Sequence, residues 1–170
     1  MTAIIISLAG EPVAKGRPRA SLRRTHAGLL RVRLHTPERT STYEGRVRAA
    51  AQEEALAMRE LMTLPLTGPI SVTMRIIFEP PASWSRKRRE AAIRGEIKHV
   101  SRPDVDNVVK AWLDAMNDIV YRDDSQIVHL TATKVYGPQS LVAARVRDAS
   151  EPVWADLDSR PTPRHEGDSE

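Results

Sequence analysis

Cysteine is absent from the 170 residues, which excludes a disulfide framework, a thiolate zinc site and a cysteine nucleophile. Aromatic residues make up only 4%, so large aromatic side chains cannot supply most of the core. The first apolar run, residues 3–6, is far shorter than the ~18 residues of a membrane span and has no basic segment before it. We therefore expect a cytoplasmic protein without membrane contact.

The composition that remains is that of an aliphatic globular chain, with 41% apolar and 28% charged residues. Its length suits one compact domain with a short extension. We place the domain at residues 1–148. Residues 149–170 are small, acidic and proline-bearing, and we predict that they form a disordered tail.

The net charge of +4 is unevenly distributed along the chain. Residues 1–147 contain 24 basic and 15 acidic side chains, whereas residues 148–170 contain 2 and 7. Of the 26 basic residues, 21 are arginine, whose planar guanidinium suits phosphate oxygens. A polyanionic partner is the first interpretation. A genome rich in arginine codons would give the same ratio, so composition alone leaves both explanations open.

Hydrophobic periodicity predicts five strands and three helices. The strands fall at residues 2–8, 29–34, 70 to about 79, 126–135 and 141–147, and the later helices at 83–94 and 104–117. The first helix, of about five turns, follows a capping-box spacing at Ser41 and Glu44. Residues 15–24, with Gly16 and Pro18, are interpreted as a basic loop. This order favours an α+β two-layer sandwich: a mixed β-sheet with helices packed on one face.

The densest chemical signal is the run Arg-Pro-Asp-Val-Asp-Asn-Val-Val-Lys at 102–110, followed by the pair Asp123 and Asp124. On the predicted helix, Asp106, Lys110 and Asp114 lie at i, i+4 and i+8, which makes one polar stripe. Crowded carboxylates are stable at neutral pH only with a cation between them or with one of them protonated. Oxygen ligands of this kind suit Mg²⁺ or Mn²⁺.

A purely structural interpretation of the same residues stays open. Asp104 is also a good N-cap, Asp106 and Lys110 have the spacing of an ordinary ion pair, and the paired aspartates suit a solvated turn. The arginine-rich context favours the metal site, since acidic residues are gathered there against the general trend of the chain.

Three basic groups are candidates for contact with phosphates. Lys15, Arg17 and Arg19 belong to the basic segment near the amino end, and each phosphate they neutralise would steepen the salt dependence of binding. Arg86 and Lys87 lie in a second cationic cluster, and Arg102 adjoins the aspartates. A solvated loop or helix face is the alternative for the first two groups.

These motifs resemble a known family. The run 102–110, with Asp114 and then Tyr-Arg-Asp-Asp-Ser-Gln-Ile-Val at 121–128, resembles the signature of the RusA family of crossover (Holliday) junction endodeoxyribonucleases. Residues 10–19 are similar to the basic opening loop of many phage and prophage members. The resemblance covers roughly residues 2–147. It implies that Asp104, Asp106 and Asp124 ligate Mg²⁺, with Mn²⁺ as a substitute, and that Lys110 is the catalytic lysine.

The resemblance also implies a homodimer whose two sites nick opposed strands of a four-way DNA junction, in DNA recombination and repair. No organic cofactor is implied. A rival interpretation is a non-catalytic nucleic-acid-binding protein that uses the basic surface and keeps its acidic residues for structure. The roles of Asp114 and Asp123 stay open.

Overall fold

The computed structural model describes residues 2–24 and 30–150. Its helices and strands follow the chain in this order: β1 Ala3–Ala9, β2 Arg19–Arg24, β3 Leu30–His35, α1 Glu38–Met58, β4 Ile70–Phe78, α2 Arg86–Ile93, α3 Val105–Met116, a 3-10 turn Asp124–Gln126, β5 Ile127–Tyr136 and β6 Leu141–Asp148.

Four of the strands form one mixed sheet in the order β1-β6-β4-β5. Strand β6 pairs antiparallel with both β1 and β4, whereas β5 pairs parallel with β4. Helices α1 and α3 pack on each other, and they contact β1 and β5 respectively. The predicted α+β sandwich of a mixed sheet and helices is confirmed.

The core lies between the sheet and helices α1 and α3. Strand β4 buries its alternating positions, as its sequence pattern predicts: Ile70, Val72, Met74, Ile76 and Phe78. The buried residues of α3 are Val108, Val109, Ala111, Trp112, Ala115 and Met116. The alternating apolar residues of β4 and the apolar stripe of α3 therefore pack together in one core layer.

Two local predictions are wrong. Helix α1 begins at Glu38 after Pro37, so Ser41 lies inside the helix, where its hydroxyl donates to the carbonyl of Glu38, and it caps nothing. Pro37 stands at the N-cap with a non-helical ψ, and its carbonyl accepts hydrogen bonds from the N–H groups of Thr40 and Ser41 at 2.9 and 3.0 Å, which suits this earlier start. Residues 19–24 are not a loop but strand β2, which forms an antiparallel hairpin with β3. Pairing with β3 supplies the hydrogen bonds that a lone basic segment lacks.

None of the helices among the described residues combines the length and the hydropathy that a bilayer crossing requires. The predicted acidic tail lies outside the described residues from 151 onward.

Candidate active site

Asp104 stands directly before α3, in the N-cap position with extended backbone angles. An aspartate there commonly accepts a hydrogen bond from the helix N–H groups, yet this carboxylate makes no side-chain cap bond. Asp106 follows in the first turn and is exposed. The start of α3 thus presents two exposed carboxylates beside the N–H groups of the first turn.

The paired aspartates divide into two roles. Asp123 is tied into a local capping box: its Oδ1 accepts from the N–H of Ser125 at 3.0 Å, and its own N–H donates to Oε1 of Gln126 at 2.9 Å. Hydrogen bonds from the side chain and the backbone N–H of Ser125 hold the pKa of Asp123 below its usual value. Asp124 is the first residue of the 3-10 turn and takes no part in this box. Of the pair, Asp124 is the member left for other chemistry.

The polar stripe of α3 is the centre of a small charge network. Nζ of Lys110 lies 3.4 Å from Oδ1 of Asp114, one helical turn on. The other oxygen of Asp114 is 2.7 Å from Nζ of Lys15, which also lies 2.6 Å from Oε1 of Glu44 on α1. Lys110 therefore pairs with Asp114 and not with Asp106. The network joins the amino-terminal loop, α1 and α3.

The amino-terminal loop lies close against both helices. The N–H of Lys15 donates to the carbonyl of Asn107 at 2.8 Å, and the N–H of Gly16 donates to Oγ1 of Thr40 at 3.1 Å. A Cβ on Gly16 would stand 2.8 Å from that hydroxyl and 2.9 Å from Pro37. Glycine at this position permits the close approach that seats the loop against the start of α1.

A cleft of about 880 Å³ is lined by this loop and by the residues at the starts of α1 and α3. Its walls carry four basic side chains, Lys15, Arg17, Arg39 and Arg102, and its acidic residues are Glu11 and Asp104. Glu11 is paired with Arg39 at 3.0 Å. The cleft therefore places the carboxylate of Asp104 among cationic groups that suit a phosphate chain.

Tyr121 links the two acidic segments. Its hydroxyl is buried and donates to the carbonyl of Leu113 on α3 at 3.0 Å. Burial raises the pKa of Tyr121 first of all, and the charges of Asp124, Asp114 and Asp123 raise it further. These three carboxylates therefore share one electrostatic neighbourhood around a phenol that stays protonated.

The donor chemistry of Asp104, Asp106 and Asp124 fits a hard divalent cation, because Mg²⁺ and Mn²⁺ prefer carboxylate oxygens. The carboxylate of Asp104 is also available to bind an ion, because it makes no cap bond. Across residues 2–24 and 30–150, however, no three acidic or histidine side chains are grouped closely enough to hold an ion. The chain supplies suitable ligands without drawing three of them to one point.

The remaining predicted DNA contacts lie apart from the cleft lining. Arg86 and Lys87 are exposed in the first turn of α2, where Arg86 pairs with Glu90 at 2.8 Å. The neighbouring guanidinium of Arg88 stacks 3.9 Å over the ring of Trp84. Arg19 begins β2, next to the segment that carries Arg17. The structure thus groups Lys15, Arg17 and Arg102 around one cleft and places α2 elsewhere.

Sequence reasoning missed two charged residues of this region, Glu44 and Lys134. Glu44 follows Tyr43, a buried residue of α1, and holds Lys15. Lys134 lies on β5 between two partly buried residues, Ala132 and Tyr136. A lysine at an inward position of an alternating strand was the available signal, since an ammonium that is partly removed from water needs partners.

An α+β domain with exposed carboxylates beside an arginine-lined cleft has the parts of a metal-dependent nuclease. The profile of the family described as "Endodeoxyribonuclease RusA" matches residues 9–147. A relative in Bacillus subtilis (strain 168), "Uncharacterized protein YqaN", is 33% identical over 152 residues, which cover 88% of this chain and 99% of the relative.

The chain belongs to the RusA family of endodeoxyribonucleases. It is therefore an enzyme of the class that cleaves DNA at crossover (Holliday) junctions. Family members bind branched DNA and depend on metal ions in general.

Proposed function

We propose that this protein is a Mg²⁺-dependent resolvase of four-way DNA junctions, which acts in the cytoplasm as a homodimer and makes paired symmetric nicks during DNA recombination and repair. The observation that carries the proposal is the placement of Asp104, an exposed carboxylate without a cap bond, in a cleft lined by arginines. Phosphodiester hydrolysis needs both a cation site and groups that hold the phosphate.

We assign Asp104, Asp106 and Asp124 as the residues that hold the ion, with Mn²⁺ as a substitute. A bound divalent cation supplies charge neutralisation at the scissile phosphate and activates the attacking water. Lys110 stands one helical turn after Asp106, with 62% of its side chain exposed. Its ammonium stabilises negative charge that develops on the phosphate oxygens, which is the role we assign to it.

The basic residues of the cleft position the DNA strand. Arg17 and Arg102 face the same 880 Å³ space, and their guanidinium groups suit two-point contact with phosphate oxygens. Lys15 also lines this cleft, and Arg19, the first residue of β2, is the next basic residue along the amino-terminal segment that we assign to DNA binding. Arg86 and Lys87 on α2 form a second contact farther along the branched substrate. Each neutralised phosphate adds to the salt dependence of binding.

A homodimer explains why two cuts are made. A closed twofold dimer presents two identical sites to two equivalent strands of a junction, so paired cuts separate it into duplexes. The substrate supplies the matching symmetry.

The test is cleavage of a synthetic four-way junction with and without Mg²⁺, in the wild type and in Asp106→Asn. We expect Asp106→Asn to abolish cleavage and to bind the junction as tightly as the wild type or more tightly, because one repulsive charge is removed. Asp118→Asn is the matched control, since Asp118 is exposed and has a positive φ that asparagine also adopts. Undiminished cleavage by Asp106→Asn would contradict our assignment of Asp106 as a residue that holds the ion.

The same assay separates the enzyme from a protein that only binds DNA. Tight junction binding by the wild type with no strand cleavage in Mg²⁺ or Mn²⁺ would favour the non-catalytic alternative. Asymmetric single nicks by a monomer would contradict the paired mechanism.

A further inference from the structure

Lys134 of β5 reaches the segment that leads into α3. Its Nζ donates to the carbonyl of Ser101 and to the carbonyl of Pro103, in both cases at 2.8 Å. Pro103 directly precedes Asp104. One ammonium therefore binds the carbonyl directly before the first carboxylate of the candidate site and a second carbonyl two residues earlier.

The position of Lys134 is unusual for a lysine. It lies near the end of β5, opposite Ile76 in the register with β4, and between two residues that pack on the core. Removing an ammonium from water is costly unless hydrogen bonds replace the lost hydration. The two backbone carbonyls supply that replacement, so the lysine and the segment 101–103 hold each other in place.

The start of α3 has few other constraints of its own. The carboxylate of Asp104 makes no cap bond, so the helix entry is not fixed by its own N-cap side chain. Within the first turn, the N–H of Lys15 donates to the carbonyl of Asn107 at 2.8 Å. The carboxylates of Asp104 and Asp106 are thus carried by a helix start that both the amino-terminal loop and Lys134 contact.

A second anchor of the same loop lies a few residues earlier. The ring of His99 is buried between Phe78 and Tyr136, with ring centroids 4.2 and 4.7 Å apart. This anchor is apolar contact and does not depend on the ammonium. Loss of the Lys134 side chain therefore leaves the loop attached to the sheet and releases mainly residues 101–104.

We propose that Lys134 is a positioning residue of this enzyme: by binding the carbonyls of Ser101 and Pro103 it sets the place of Asp104 and Asp106, and thereby the affinity of the site for its divalent cation. The inference rests on the proposed function for the identity of the metal site. Residues that orient metal ligands without touching the ion commonly change metal affinity about 10- to 100-fold when they are replaced.

The experiment compares Lys134→Met and Lys134→Gln with the wild type in two measurements. Mn²⁺ binding is followed by calorimetry on the protein alone, and the Mg²⁺ concentration for half-maximal junction cleavage is measured separately. We expect both variants to weaken Mn²⁺ binding about 10-fold and to raise the half-saturating Mg²⁺ concentration similarly. Junction affinity in the absence of metal should change less than about 2-fold. The ammonium of Lys134 already binds two backbone carbonyls, so we do not expect it to contact DNA. Lys98→Met, on the exposed part of the same loop, is the control and should match the wild type.

Three results with the variants would overturn the proposal. Folded variants with unchanged Mn²⁺ affinity would show that the hydrogen bonds of Lys134 do not position the carboxylates of Asp104 and Asp106. An equal loss of junction binding without metal would make Lys134 a phosphate contact, and unfolding of both variants would make it a residue of the core alone. A wild type that binds Mn²⁺ through Asp106 but cleaves no junction contradicts the proposed function and leaves this inference standing. A wild type that binds no Mn²⁺ contradicts both.

Discussion

The indole nitrogen of Trp112 on α3 donates a hydrogen bond to the hydroxyl of Tyr43 on α1, across 3.0 Å inside the core. Both residues are almost fully buried, so this polar contact has no water to replace it. It joins the helix that carries the candidate catalytic residues to the helix that carries Glu44. The two helices therefore share a directional contact in addition to their apolar packing.

We expect Tyr43→Phe to destabilise the protein by about 1 to 3 kcal/mol, because the buried indole N–H is left without an acceptor. Tyr136→Phe is the control, since its ring also packs on the core and no hydrogen bond of its hydroxyl is found among the described residues. Urea unfolding of the three proteins measures the difference. Equal stability of the two variants would mean that the Trp112 bond contributes nothing net.

The ion pair between Lys15 and Asp114 should be measurable as a coupling energy. Both side chains are about three-quarters buried, so water screens the pair less than it screens a surface pair. In a double-mutant cycle of Lys15→Met and Asp114→Asn we expect a coupling of roughly 1 kcal/mol. Additive effects of the two changes would contradict a direct interaction.

The pair also predicts how stability depends on acid. Burial alone raises the pKa of Asp114, but its hydrogen bond to Lys15 and the charges of Lys15 and Lys110 outweigh burial and hold the pKa below its usual 3.8. The unfolded chain therefore takes up this proton first as the pH falls. The contribution of Asp114 is complete above pH ~4 and is lost below it, and Lys15→Met should reduce that loss.

The apolar core could largely be predicted from the sequence. The buried residues of β4 recur with a period of 2 and those of α3 with a period of 3.6. Both periods can be recognised in the sequence. The hairpin of β2 and β3 was not predicted in full, because β2 has few apolar residues and gains its hydrogen bonds only by pairing with β3. The start of α1 at Glu38 was missed because Ser41 and Glu44 offered a stronger local pattern than Pro37.

The candidate site could be predicted from the sequence only in part. The RusA signature located Asp104, Asp106, Lys110 and the paired aspartates, but spacing could not tell that Lys110 pairs with Asp114. Nor could it show that Asp123 is used in a capping box. Lys134 and Glu44 are distant in sequence from the residues they hold, so only the folded chain reveals these contacts.

His99 should make the protein less stable in mild acid. Burial first of all, and then the charge of Lys134, lower the pKa of His99 below its usual 6.5. The unfolded chain binds this proton at a higher pH than the folded chain does, so stability is complete above pH ~6.5 and falls as the pH drops below it. His99→Phe keeps a ring between Phe78 and Tyr136 and should flatten the melting temperature between pH 7 and 5. His35→Gln, at an exposed histidine, should leave the wild-type slope unchanged. An unaltered slope in His99→Phe would contradict the assignment.

Lys110→Ala should separate chemistry from binding. The ammonium is exposed at the candidate site, and among the described residues its one ion pair is with Asp114 at 3.4 Å, so few contacts must break before it meets a phosphate. If Lys110 stabilises charge in the transition state, kcat for junction cleavage falls about 100-fold or more, whereas the junction dissociation constant changes less than about 3-fold. Lys98→Ala is the matched control for loss of an exposed lysine. Parallel losses in binding and cleavage would reduce Lys110 to a contact with the DNA backbone.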